Sequence, residues 1–284
     1  MKSILIPAED HDAMPAVLEA ARLIAVQFDS YIEGFAVRPS LGTYVTVEPV
    51  SSLAITGAFE GDTAHEVRAQ FENFMREKNV PPAAPGREPA VFSYAWPNSE
   101  VVDDEAIGSR GRVFDLIVLG RPGPDAQNPR MPPLEAALFE TGRPLLIAPP
   151  KVPHVIGRHV MVAWNRSTEQ AHTNALAMPL LQRAEQVTVL EVEGGSVPGP
   201  SVEEAAVNFR RNGIKAKAQA VTLKRGERPS GEAAGAYILE QAAALGCDLL
   251  IKGAYTQSRL RQMVFGGATR HILANATLPV LMAH

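Results

Sequence analysis

The sequence predicts an α/β protein built as two tandem doubly wound domains, each around a mostly parallel five-stranded sheet. Three observations carry that expectation. The chain repeats itself, short apolar β-branched runs alternate with helical patterns, and several of those runs are apolar throughout, as strands covered on both faces are. The length of 284 residues fits two domains of ordinary size.

The repeat is read in register. Ile4-Leu5-Ile6 matches Val160-Met161-Val162, and Tyr31-Ile32-Glu33-Gly34-Phe35 matches Val187-Thr188-Val189-Leu190-Glu191, both at an offset of 156. Phe74 matches Phe209 at 135, Phe114–Gly120 matches Cys247–Gly253 at 133, and Arg143–Ala148 matches Leu278–Ala283 at 135. The falling offset places about 21 extra residues in the first copy, between Arg38 and Asp62. The expected domains are therefore residues 1–151, carrying an insertion at about 38–62, and residues 156–284. Pro150 and Pro153 flank the start of the linker.

Element by element, Ile4–Ile6 opens the first strand, and Val17, Ala21, Ile24 and Phe28 follow at helical spacing on one face. Thr43–Glu48, inside the insertion, alternates like a strand. Pro81, Pro82, Pro85 and Pro89 make the connection before the third strand irregular. Leu116–Leu119 and Leu249–Ile251 read as buried strands of a parallel sheet. Ile238, Ala242 and Leu245 form a helical stripe, ended by Gly246 at the left-handed C′ position.

Composition narrows the function classes. An apolar share of 46%, a charged share of 20% and no window of 18 uninterrupted apolar residues exclude a membrane-spanning helix. One cysteine, Cys247, excludes an intramolecular disulfide and a Cys-rich metal site, and the cytoplasm is the expected compartment. Residues 1–153 carry 13 Lys and Arg against 21 Asp and Glu, net −8; residues 154–284 carry 14 against 10, net +4. No basic face for DNA or RNA is expected, whereas a small anion would prefer the second half. The seven histidines show no paired metal-ligand spacing. Ser167 and Ser258 have no local His–Asp pattern, and Cys247 reads as a core thiol at the start of a strand.

In open α/β sheets the ligand lies beyond the carboxyl ends of the strands. After the first strand the halves read Pro7-Ala8-Glu9-Asp10-His11-Asp12 and Ala163-Trp164-Asn165-Arg166-Ser167-Thr168. Neither holds a dinucleotide-type glycine turn or a P-loop. Glu9, Asp10 and Asp12 read either as a Mg²⁺ pocket or, more simply, as an acidic helix N-terminus. After the fourth strand of the second half comes Gly253-Ala254-Tyr255-Thr256, then Ser258-Arg259-Leu260-Arg261, then Gly266-Gly267-Ala268-Thr269-Arg270-His271-Ile272-Leu273.

With the tandem repeat and the ending Leu278-Pro279-Val280-Leu281-Met282-Ala283-His284, this run resembles a tandem universal stress protein. The resemblance spans the chain outside the insertion and implies Rossmann-like or flavodoxin-like domains. It further implies a cytoplasmic regulatory or protective role in stress, at most slow ATP hydrolysis, and in some members a bound ATP or AMP with Mg²⁺. It implies a pseudo-dimer within the chain and allows a homodimer. Nucleotide-binding members carry Gly-x₂-Gly-x₉-Gly-Ser/Thr here and an Asp after the first strand. This chain keeps Gly253 and Gly266, and has Thr256 at the middle glycine, Gly267 at the hydroxyl position and Asn165 for the Asp. The candidate nucleotide-binding set is Trp164, Asn165, Val192, Gly253, Thr256, Arg259, Gly266, Gly267, Ala268 and Thr269. Backbone N–H groups at a helix start, with Arg259, Arg261 and Arg270 near in sequence, favour an anion, while the same glycines also suit a plain tight turn. At an offset of 135 the first half places Met131, Pro132 and Pro133 opposite Gly266–Ala268, so it reads as a degenerate copy. Two other classes stand beside nucleotide binding: a nucleotide-independent adaptor for a partner protein, and an adenylating enzyme, whose Ser-Gly-Gly-x-Asp-Ser loop is absent.

Overall fold

Apolar runs that cannot turn a polar face to water become inner strands. Ile4, Leu5 and Ile6 are wholly buried in β1 (Ser3–Ala8), as are Leu116–Val118 in β5 (Leu116–Gly120) and Leu249–Ile251 in β10 (Leu249–Gly253). The computed structural model describes residues 1–38, 52–84, 92–97, 101–193, 195–222, 230–254 and 266–284, with side chains from residue 64 onward in the helix that starts at Ser52. The chain divides into two compact units, Met1–Arg143 and Pro144–His284.

In the first unit β1 lies between β5 and β2 (Tyr31–Arg38), and β3 (Ser93–Ala95) lies outside β2, giving the parallel order β3-β2-β1-β5. A two-residue strand, β4 (Val102–Asp103), pairs with the far end of β2. In the second unit β7 (His159–Ala163) lies between β10 and β8 (Gln186–Val192). With β9 (Ala216–Val221) and β11 (Val280–Ala283) the parallel order is β9-β8-β7-β10-β11. The shared order, third-second-first-fourth strand, is the structural form of the sequence repeat. β6 (Leu145–Ala148), matched in sequence to β11, falls within the second unit and pairs antiparallel with it, Leu146 opposite Leu281.

Helices cover the strands. The stripe Val17, Ala21, Ile24 and Phe28 is the buried face of α1 (Met14–Phe28). The interval 38–62 is partly helical: residues 52–62 begin α2 (Ser52–Glu77), 26 residues long, where its counterpart α6 (Val202–Arg211) has 10. Thr43–Glu48 lie outside the described residues. The first unit continues with α3 (Glu105–Gly111) and α4 (Met131–Glu140), the second with α5 (Thr168–Leu181), α7 (Gly231–Ala244) and α8 (Gly267–Asn275). Ile238 and Ala242 are buried on α7, but Leu245 is its C-cap and is 39% exposed, one residue past the packed stripe. Gly246 follows at φ +62°, the left-handed conformation that glycine adopts without a Cβ clash. Among the described residues no helix is long and apolar enough to cross a membrane, and no three His, Cys, Asp or Glu form a metal cluster.

Candidate functional site

The strand ends of the second unit converge with three helix starts. Beyond β7 the chain is held by its own backbone: Trp164 N–H donates to Leu190 O at 2.8 Å, and Asn165 O accepts from Val197 N–H at 3.1 Å. The Trp164 indole N–H donates to Pro200 O at 2.9 Å, which fixes the ring. Asn165 Oδ1 accepts from Ser167 N–H at 3.2 Å, and Ser167 caps α5 by accepting from Gln170 N–H at 3.1 Å. Arg166, at φ +67°, turns its guanidinium onto Glu191 at 2.6 Å, and the other oxygen of Glu191 accepts from Val202 N–H. The result is a Trp–Asn corner tied to residues 197–202.

The end of β10 packs on α5. Gly253 N–H donates to Gln170 Oε1 at 2.7 Å, and a Cβ on Gly253 would stand 2.6 Å from Gln170 N. This glycine is required by close backbone approach. Gly253→Ala should destabilise the second unit by about 1–3 kcal/mol through that overlap; an unchanged urea midpoint would show that the strand end can shift freely.

α8 starts at Gly267 with Gly266 as a cap that has no side chain, so the cap offers no oxygen to the N–H groups of its first turn, and among the described residues no other side-chain oxygen takes them up. The start of α7 abuts it, a Cβ on Gly267 being 2.9 Å from Glu232 N. Both positive helix ends thus meet in one place.

A cavity of about 410 Å³ opens between these parts. Of the candidate set, Trp164, Asn165, Val192, Gly266, Gly267, Ala268 and Thr269 line it, while Gly253 does not. Thr256 and Arg259, with Arg261, lie outside the described residues. The lining also includes Ser196, Gly231 and Lys252, three residues that the sequence motifs did not single out. Ser196 Oγ is buried and has no hydrogen-bond partner among the described residues.

Lys252 is the informative one. It is 7% exposed, and its ammonium donates to Thr269 Oγ1 and to Gly253 O, both at 2.9 Å and both neutral. Burial lowers its pKa to about 8. It is the one ionisable side chain among the described residues that line the cavity. A signal for it existed in the sequence: a lysine ends the fully apolar run Leu249-Leu250-Ile251, where a buried parallel strand expects none.

The first unit fills the corresponding place with charge. Aligned on the caps of α4 and α8, the copies are offset by 136, so Arg130 stands opposite Gly266, and Pro132 and Pro133 stand opposite Ala268 and Thr269. The sequence register of 135 was one residue short, because the loop lengths after β5 and β10 differ. Glu9 stands opposite Asn165 and pairs with Arg130, whose guanidinium also grips Asp104 through two bonds of 2.7 and 3.0 Å. The carboxylate is neither of the two roles expected for it: α1 has no acid in its first turn, and Glu9 is buried in an ion triad. Burial outweighs the Arg130 charge and raises the Glu9 pKa to about 7.

Cys247 precedes β10 in a half-buried turn rather than beginning the strand, and burial raises its thiol pKa to about 11, which keeps it a poor nucleophile.

Residues 157–284 match the model of the Universal stress protein family. No match is found among curated proteins. Among solved structures the chain is similar to a universal stress protein from Archaeoglobus fulgidus, at 12% identity and a TM-score of 0.67, over 99% of this chain and 97% of that one. It is similar to a putative universal stress protein from Pseudomonas aeruginosa, at 15% identity and a TM-score of 0.52, over 100% and 93% of the two chains. A functionally unknown protein from Pseudomonas aeruginosa aligns at 14% identity with a TM-score of 0.54, over 100% and 92%. At these identities the likeness is one of fold.

Proposed function

We propose, from the premise that residues 157–284 are a universal stress protein domain, that this chain is a stress-related binding protein whose second unit takes an adenine nucleotide in the cavity beneath Trp164. The family membership supports the stress-related role. The observation that carries the nucleotide reading is the cavity lining itself. It combines an apolar wall of Trp164, Val192 and Ile238, an amide at Asn165, and the uncapped first turn of α8, at the carboxyl ends of parallel strands.

Each part has a chemical use. Val192 and the pinned indole offer apolar area to a base. The Asn165 side chain carries both a donor and an acceptor, so it suits a base edge differently from an aspartate, which only accepts. The N–H groups of Gly267, Ala268 and Thr269 suit phosphoryl oxygens. No carboxylate lines the cavity among the described residues, so a Mg²⁺ ion accompanying ATP would be held through the phosphates of the nucleotide. The function assigned is binding, in the cytoplasm, and no hydrolytic step is assigned to these side chains.

Trp164 supplies the test. The chain has two tryptophans, and Trp96 packs on Phe71 at 5.2 Å, so a Trp96→Phe background leaves Trp164 as the single indole. Saturable change in its emission with AMP or ATP, at one equivalent and below about 1 mM, is the expected result. Absence of any response to AMP, ATP and adenosine, with calorimetry equally silent, would overturn the nucleotide reading and leave the adaptor role as the better account.

A further inference from the structure

We propose that Lys252 is the residue by which the second unit recognises a phosphoryl group, so that the cavity distinguishes a phosphorylated nucleoside from the bare nucleoside by one buried ammonium on its floor. The proposal rests on the nucleotide reading of the same cavity and adds the residue that sets its selectivity.

The argument begins with an uncompensated charge. Buried ammonium groups are ordinarily paired with a carboxylate, because removing an ion from water is costly. Lys252 has no such partner among the described residues: its two acceptors are the Thr269 hydroxyl and the Gly253 carbonyl. An ammonium carries three N–H donors, so one is left over. The run 255–265 that follows β10, Tyr-Thr-Gln-Ser-Arg-Leu-Arg-Gln-Met-Val-Phe, contains no Asp or Glu, and the run 223–229 before α7 contains one, Glu227. Among the described residues no carboxylate answers the Lys252 ammonium, and a phosphoryl group in the cavity would supply that charge.

A second observation points to a ligand independently. Ser196 Oγ is buried on the same cavity without a partner among the described residues. A buried hydroxyl left unbonded costs free energy that an acceptor or donor on a bound molecule would restore.

The site also has the composition that a phosphoryl group prefers. Lys252 bonds Thr269, the third residue of α8, and so its ammonium sits beside the uncapped first turn of that helix. A point charge next to free backbone N–H groups is the combination by which lysine serves phosphate, with the helix dipole adding to it. The first unit is the contrast. There Glu9 and Asp104 stand around Arg130, so the position opposite Gly266 is already neutralised from within the chain.

The test compares AMP, adenosine and inorganic phosphate on the full chain and on Lys252→Met and Lys252→Gln, with thermal unfolding recorded for each. Glutamine keeps a donor toward Thr269 and removes the charge, so it separates recognition from support of α8. The wild type should prefer AMP to adenosine, and both variants should lose roughly 10- to 100-fold in AMP affinity while adenosine changes by less than about 3-fold. A preference for AMP that survives in a folded Lys252→Gln protein overturns the proposal and leaves nucleotide binding standing. If neither AMP nor adenosine binds the wild type, nucleotide binding fails. Stabilisation by inorganic phosphate that disappears in Lys252→Gln would then still support the lysine, and its absence in the wild type would overturn both.

Discussion

Arg130→Ala should destabilise the first unit by about 3–5 kcal/mol at pH 8, the usual result of removing one partner from a buried ion pair. Among the described residues Arg130 is the one ion-pair partner of Glu9, which is 6% exposed, and of Asp104, which is 5% exposed. The alanine leaves two neighbouring carboxylates without their shared cation and leaves a cavity where the guanidinium was. The cost depends on pH through Glu9. Its folded pKa of about 7 lies above the ordinary value, chiefly because of burial, and Arg130 already lowers it. Between pH 4.5 and 7 the folded chain therefore holds a proton that the unfolded chain has released. Stability from this group is complete below 4.5 and is lost as pH rises through 7. Without Arg130 the folded pKa moves higher and the loss extends further into the alkaline range. Urea unfolding at pH 5 and pH 8 should show a small gap between wild type and variant at the lower pH and a large one at the higher. A gap that is equal at both values, or below about 1 kcal/mol at pH 8, would mean that water reaches the triad and screens it.

The triad also shows what the sequence could and could not convey. Glu9 and Arg130 are 121 positions apart, and no local pattern joins them. Read alone, Glu9 belongs to an acidic stretch before a helix, and its real partner emerges only when β1 and the start of α4 meet at one sheet end. The repeat, by contrast, was legible because each buried strand had to stay apolar in both copies. Leu116–Leu119 and Leu249–Ile251 therefore preserve their pattern although the loops between elements diverged. Loops are where register slipped: the offset of 133 at β5 and β10 becomes 136 at the caps of α4 and α8, and part of the supposed insertion joined α2 because helix length leaves only a weak trace in polar residues. For the site, the loop motif led to Asn165 and to Gly266–Thr269, which meet at one cavity. The same motif made Gly253 a ligand contact, whereas its lack of a side chain serves contact with Gln170. Lys252 lies in a strand rather than in a loop motif, and its meaning depends on burial.

Lys252→Met should make the ligand-free protein more stable at pH 7, on the order of 2 kcal/mol, or roughly 4–8 °C in the transition of the second unit. A folded pKa of about 8 against an ordinary value of 10.5 means that the folded state disfavours the ammonium, and burial alone causes this. Charging it at neutral pH costs about 3 kcal/mol by that difference. Methionine removes this cost and fills most of the volume, while giving up the bonds to Thr269 and Gly253. The sign over pH follows. From about pH 8 to 10.5 the unfolded chain keeps a proton that the folded chain has lost, so wild-type stability from this group rises across that window, and the advantage of the variant shrinks as it does. A ligand reverses the order. Phosphate or AMP at 100 times its dissociation constant should stabilise the wild type by about 2.7 kcal/mol and the variant hardly at all, which brings the two level or places the wild type above. Scanning calorimetry of both proteins, with and without AMP, reads all of this in one series. Should Lys252→Met prove less stable than wild type without ligand, the two neutral hydrogen bonds outweigh the desolvation of the ammonium, and Lys252 is a strut between β10 and α8 rather than a charge held ready for a phosphoryl group.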